Sequence, residues 1–145
     1  MLSQVEADYL VRVAKQINSA KVIVVPAAGG HDEWQATSVG GKDRFHLHMQ
    51  RGRKVSTKVT LQERYETNEI LLRLDINGPT HGNPDGTVVP TPHLHIYREA
   101  FDDKWAFAVP PDLDISSGNP VDILASFLVY CGVVEIPPIQ GGVLL

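Results

Sequence analysis

Through its middle the chain alternates apolar and polar residues, the period-two signature of half-buried antiparallel strands. Phe45, Leu47 and Met49 alternate with His46, His48 and Gln50. After Gly52, the residues Val55, Thr57, Val59 and Leu61 alternate with Ser56, Lys58, Thr60, Gln62 and Arg64. Ile70, Leu72, Leu74 and Ile76 alternate with Leu71, Arg73 and Asp75, and Leu94 and Ile96 with His93, His95 and Tyr97. Shorter strands are expected within Lys21 to Val25, Trp34 to Val39 and Trp105 to Val109, the last stopped by Pro110-Pro111. Gly40-Gly41 suits a hairpin turn, and Ala27 to Asp32 reads as a loop.

The two ends follow the helical period instead. Ser3 and Glu6 form a capping box, and Val5, Tyr9, Leu10, Val13, Ala14 and Ile17 follow at helical spacing. This predicts an amphipathic helix from Ser3 to about Ser19. Asn119 caps a second helix with Pro120 in its first turn. Val121, Leu124, Phe127, Leu128 and Cys131 supply its apolar side, and Gly132 stops it. The stretch from Pro137 to Leu145 is expected to be extended. Together these elements predict an α+β fold, a mainly antiparallel sheet of five to seven strands with an N-terminal and a C-terminal helix on one face. At 145 residues the chain fits a single domain spanning 1–145.

Hydrophobic content of 43% and charged content of 21% are those of a globular chain. The formal charge of −4 excludes a generally basic nucleic-acid coat protein but leaves room for the local basic patch Arg51, Arg53, Lys54 and Lys58. The one cysteine, Cys131, lies in an apolar run and reads as a buried structural thiol. Glu6 and Asp8 stand where a secretory signal would be basic, and no apolar run approaches the roughly 20 residues that span a bilayer. A cytoplasmic protein without membrane association is expected.

The candidate chemistry sits between Arg73 and Glu99. Period two puts Arg73 and Asp75 on one face of one strand, and His93, His95, Tyr97 and Glu99 on one face of another. Imidazoles at i and i+2 stand roughly 6.5 to 7 Å apart at the backbone. They can serve as an acid/base pair or as metal ligands. His81 lies in the intervening loop, beside an Asn83-Pro84-Asp85-Gly86 turn that can hold it over the sheet. His93, His95, His81, Arg73 and Asp75 are therefore expected to form one site on the open sheet face. Lys58, Gln62, Arg64 and Tyr97 would bind a phosphate or a partner beside it. His46 and His48 repeat the pattern without punctuation or partners and are expected to face solvent. The spacing H-x-H-x-x-x-E (His93, His95, Glu99) also resembles the first metal motif of cupins, although no later histidine completes a second motif. The expectation is no cofactor and no metal. Nucleotide, hydrolase and redox signatures such as GxGxxG, GxSxG and CxxC are missing.

Nearly the whole chain resembles an uncharacterised family of small bacterial and prophage proteins. The resemblance is carried by L-S-Q-V-E-A-D-Y-L, T-L-Q-E-R-Y, L-L-R-L-D-I-N-G, H-G-N-P-D-G, P-H-L-H-I-Y-R-E and K-W-A-F. More locally, R-x-D, then a histidine, then P-H-x-H is similar to the core of the TumE toxins of bacterial toxin–antitoxin pairs, which implies an RNA-directed toxin. On this reading His93 and His95, one of them replaceable by His81, are general base and acid in a metal-independent endoribonuclease. Arg73, helped by Arg64 and Lys58, stabilises the phosphate's charge, Asp75 orients an imidazole, and Tyr97 stacks on a base. Partners are then RNA or a protein such as an antitoxin. The alternative is a non-catalytic interaction protein, such as a phage-encoded inhibitor of a host-defence component, and a further alternative is a cupin-like metal-binding protein whose site His81 could complete.

Overall fold

The computed structural model describes residues 1–55 and 57–141. Helix α1 (Gln4–Arg12) is followed by β1 (Lys15–Ile17), β2 (Ile23–Val24), β3 (His31–Ser38), β4 (Arg44–Arg51), β5 (Val59–Tyr65) and β6 (Glu69–Ile76). After these come β7 (His81–Gly82), β8 (Val88–Val89), β9 (His93–Ile96), β10 (Ala106–Ala108), α2 (Pro120–Tyr130) and β11 (Ile139–Gln140). Seven strands pair antiparallel in the order β1-β3-β4-β5-β6-β9-β10, giving the α+β fold expected from the pattern. Two small pairs flank this sheet: β7 with β8, and β2 with β11 in parallel. No helix among the described residues is long and apolar enough to cross a membrane.

One sheet face and the two helices enclose the core. Phe45, Leu47, Met49, Leu61, Leu74 and Leu94 all lie at 1% exposure or less, alongside Ile123, Leu124, Phe127 and Leu128 of α2. Cys131 is buried and free, and burial pushes its thiol well up. Gly40 and Gly41 both adopt left-handed φ, as the β3–β4 turn requires. Gly132 does so just after α2, where a Cβ would meet the Arg12 and Val13 carbonyls at 2.6 Å.

Several expectations need correction. The capping box forms, but α1 ends at Arg12 rather than near Ser19, because Val13 turns extended (φ −58°, ψ 144°). Residues 15–17 then pair with Ala36–Ser38, so Ile17 is a strand residue. The buried side of α1 is Ala7, Leu10 and Val11, while Val5 and Tyr9 are exposed. His31 to Asp32 open β3 rather than closing a loop. Val55 and Thr57 fall in the β4–β5 connection and are exposed; Ser56 lies outside the described residues, as do residues 142–145. Strand β5 starts only at Val59, after Gly52 N–H donates to the Lys58 carbonyl.

A lysine–glutamate pair occupies the core face. Glu63 shares the parity of Val59 and Leu61, and both it and Lys15 have fully buried side chains with Nζ–Oε2 at 2.9 Å. Lys15 Nζ also donates to the carbonyls of Leu10, Val11, Val13 and Cys131. These are the unsatisfied carbonyls at the C-terminal ends of both helices. Burial pushes the Glu63 carboxyl up to about 8 against the downward pull of Lys15.

Candidate functional site

The opposite sheet face carries the expected cluster, and strand register explains why. Arg73 lies directly across from His95, and Asp75 across from His93, on neighbouring β6 and β9. On the other side of β6, Gln62 faces Arg73 and Thr60 faces Asp75. Cross-strand partners have Cβ atoms about 4.5–5.5 Å apart, so period two and register alone deliver these side chains to one spot.

The β7–β8 hairpin folds over this spot. Its turn places Gly86 at φ 89° with Gly86 N–H donating to the Asn83 carbonyl. Buried Asn83 then fastens the hairpin to β10, donating to the Ala106 carbonyl and accepting from the Ala106 N–H. His81 is thereby held with its ring centroid 4.5 Å from that of His95 and 6.0 Å from that of His93. The face is consequently not open at every residue. His93 is 2% and His95 0% exposed, whereas His81 is half-buried and the Arg73 and Asp75 side chains keep 28% and 20%. A cleft of about 330 Å³ remains, with Arg73, Asp75 and the three imidazoles on one side and Lys58, Thr60 and Gln62 on the other.

Hydrogen bonding sets the role each group can play. Arg73 donates from Nε to Asp75 (3.2 Å), from Nη1 to Asp103 Oδ2 (2.9 Å) and from Nη2 to His95 Nε2 (2.9 Å). His95 Nδ1 faces the Asp103 carbonyl at 2.8 Å, so its proton lies on Nδ1 and its Nε2 accepts. His93 Nδ1 faces the Val89 carbonyl at 3.2 Å and its Nε2 faces Asp75 Oδ2 at 3.1 Å. Both of those partners only accept, which suits a doubly protonated ring. His81 Nε2 donates to the Lys104 carbonyl at 2.6 Å, leaving its Nδ1 as a lone pair. Thr60 donates to the second oxygen of Asp75. Burial alone would raise the Asp75 carboxyl, but adjoining His95, the Arg73 charge and His93 outweigh it and hold the group well below the usual carboxylate range.

Not every expected residue arrives. Tyr97 lies one position past the end of β9, where strand parity no longer governs, and is 1% exposed in the core. Its hydroxyl accepts from the Leu2 N–H and donates to the Leu2 carbonyl, so it has no free face for a base. Arg64 lies on β5 beyond Thr60 and Gln62, outside the cleft lining, and pairs with Glu33, which also meets His46. Glu99 accepts from the Gln4 N–H at the start of α1, so the cupin-like trio is not assembled. His46 and His48 are only partly exposed, and His46 has Glu33 as a partner. Asp103 is the residue missed. It holds Arg73 with its carboxylate and His95 with its carbonyl, yet it sits in an irregular loop where no period could flag it.

Residues 2–133 match the family of unknown function DUF6978, and the chain belongs to that family. No curated protein and no solved structure is matched.

Proposed function

We propose that this DUF6978 protein is a toxin-like RNA-binding and RNA-cleaving protein acting at the Arg73/Asp75/histidine cleft. The observation that carries the reading is the convergence of a guanidinium, a carboxylate and three imidazoles in one cleft with Lys58 at its edge. Two cations, Arg73 and Lys58, beside three protonatable imidazoles suit a phosphodiester, whose charge grows as a fifth oxygen bonds to phosphorus.

In this reaction an imidazole lone pair takes the proton from a ribose 2′-hydroxyl. The 2′-oxygen then bonds to phosphorus, and the bond from phosphorus to the 5′-oxygen breaks. A protonated imidazole returns a proton to that 5′-oxygen, leaving a 2′,3′-cyclic phosphate and a 5′-hydroxyl. The hydrogen bonds favour His81 as the base, because its Nδ1 is unengaged, and keep His93 protonated, so that it serves as the acid once its Nε2 proton turns from Asp75 to the leaving oxygen. His95 serves Arg73 rather than the proton transfer, since its Nε2 already accepts from the guanidinium. Asp75 orients and supports the His93 ring. Arg73, which can bind a phosphate bidentately, and Lys58 hold the phosphate.

Growth and RNA integrity after induction of wild type, His93→Ala and Arg73→Lys test the proposal. Wild type should slow growth and degrade RNA, and both variants should relieve it. Harmless expression of all three with intact RNA would leave in front the rival reading, a non-catalytic partner-binding protein using the same cleft.

A further inference from the structure

We propose that Asp75, His93 and His95 also form a binding site for a divalent transition ion of the zinc class. The inference uses residues of the nuclease reading but not its chemistry, and it is measured without RNA.

The argument is one of lone pairs. His93 and His95 each turn Nδ1 to a backbone carbonyl, that of Val89 and that of Asp103. With neutral rings, both Nε2 lone pairs then converge on Asp75 Oδ2, at 3.1 Å from His93 and 3.2 Å from His95. Three such acceptors share a cation, which is a proton on His93 together with the Arg73 guanidinium in the ion-free site and would be the metal in the occupied one. Turning the outer ring nitrogen to a carbonyl is also how metal-binding histidines are usually oriented, because it fixes the tautomer and raises ligand basicity. The three ligand atoms lie within 4.8 Å of one another. Ligand bonds of about 2.0–2.1 Å in a tetrahedron imply edges of about 3.3 Å, which the two histidine-to-Asp75 distances match. Two imidazoles and a carboxylate, with no thiolate, match zinc, cobalt or nickel better than calcium or magnesium.

Arg73 is the competing cation. Its Nη2 occupies His95 Nε2 and its Nε touches Asp75, but His93 receives none of its hydrogen bonds. An entering ion must turn the guanidinium aside, and Asp103 Oδ2, 2.9 Å from Nη1, is placed to keep it. An occupied site therefore loses both the His93 proton and the Arg73 phosphate contact. On the nuclease reading, zinc is an inhibitor and a chelator restores activity.

The test is calorimetric titration of Zn²⁺ into chelator-treated wild-type protein, with the visible absorption of Co²⁺ as a second readout of ligand geometry. Wild type should take up about one ion per chain. His93→Ala and Asp75→Asn should weaken binding by more than about 100-fold, beyond the 10–100-fold typical when only an outer partner of a ligand is lost. Asp75→Asn keeps the side chain's volume, and a melting curve recorded alongside checks that its fold survives. Arg73→Met should bind as tightly as wild type or more so, an outcome that a merely structural cluster would not produce. His46→Ala should change nothing. Absent binding, or binding that survives Asp75→Asn and His93→Ala but falls with His46→Ala, overturns the site. Zinc binding in this pattern by a protein that cleaves no RNA upholds the site and removes only the nuclease reading.

Discussion

Strands β5 and β6 separate two clusters of buried charge that differ in almost every other respect. On the core face, Lys15 and Glu63 are sealed at 0% side-chain exposure. Every donor position of Lys15 points at an acceptor, and those acceptors are helix ends that would otherwise go unsatisfied. On the cleft face, Arg73 and Asp75 keep an opening to solvent, and the ring nitrogens around them are mismatched unless a proton, a guanidinium or an ion fills the centre. The comparison teaches that burial and charge do not by themselves mark chemistry. A sealed set of groups closed to solvent holds a fold together, whereas a solvent-reachable set with competing occupants can exchange them.

The sharpest way to break this contrast is to remove one member of the sealed pair. Lys15→Met leaves Glu63 and four carbonyls without their partner, and urea unfolding should show a loss of about 3–5 kcal/mol. A loss under about 1 kcal/mol would mean that the pair is not structural.

The two carboxyls should also pull stability in opposite directions with pH. Glu63 rises from 4.5 to about 8 on folding, so between those values the folded state holds the extra proton. Its contribution is therefore complete below about 4.5 and is lost as pH rises through about 8. Asp75 is held below its ordinary 3.8, so its contribution is present above that value and is lost as pH falls through the lower folded one. Denaturation as a function of pH should show Glu63→Gln flattening the fall in stability between about 4.5 and about 8, and Asp75→Asn flattening the one below 3.8. The same slope in both variants would erase the distinction.

Smaller still is the effect expected at Tyr97. Tyr97→Phe removes two hydrogen bonds to Leu2 and should cost about 1–2 kcal/mol by chemical denaturation, leaving any cleft chemistry untouched. A selective loss of RNA binding instead would restore Tyr97 to the site.

How much of this was legible in the sequence depended on where each residue sits. Arg73, Asp75, His93 and His95 lie inside regular strands that turn out to be neighbours in register, so period two sufficed to bring them together. Tyr97 and Glu99 lie past the end of β9, where the same count carries no information. Lys15 was placed in the first helix because Val13, Ala14 and Ile17 continue its spacing; pairing with β3 overrode that local preference. Glu63 carried a usable signal, a charge on the parity of Val59 and Leu61, but its partner could not be read from a chain that places Lys15 48 positions away. Strand β6 packs Leu71 and Leu72 together in the core, because the register shifts opposite Glu63 and Arg64, and a two-residue period cannot announce its own interruption.

The measurement that bears most directly on the cleft's proposed chemistry is cleavage of a single-stranded RNA by chelator-treated protein, with a strand of the same sequence methylated at every 2′-oxygen alongside. Wild type should cut the unmodified strand to ends bearing a 2′,3′-cyclic phosphate and leave the methylated one intact. His81→Ala should lower the rate by about 10²- to 10⁴-fold, the usual worth of one acid/base partner. Cleavage of both strands alike, or an unmodified RNA left whole by wild type and His81→Ala equally, would contradict the account.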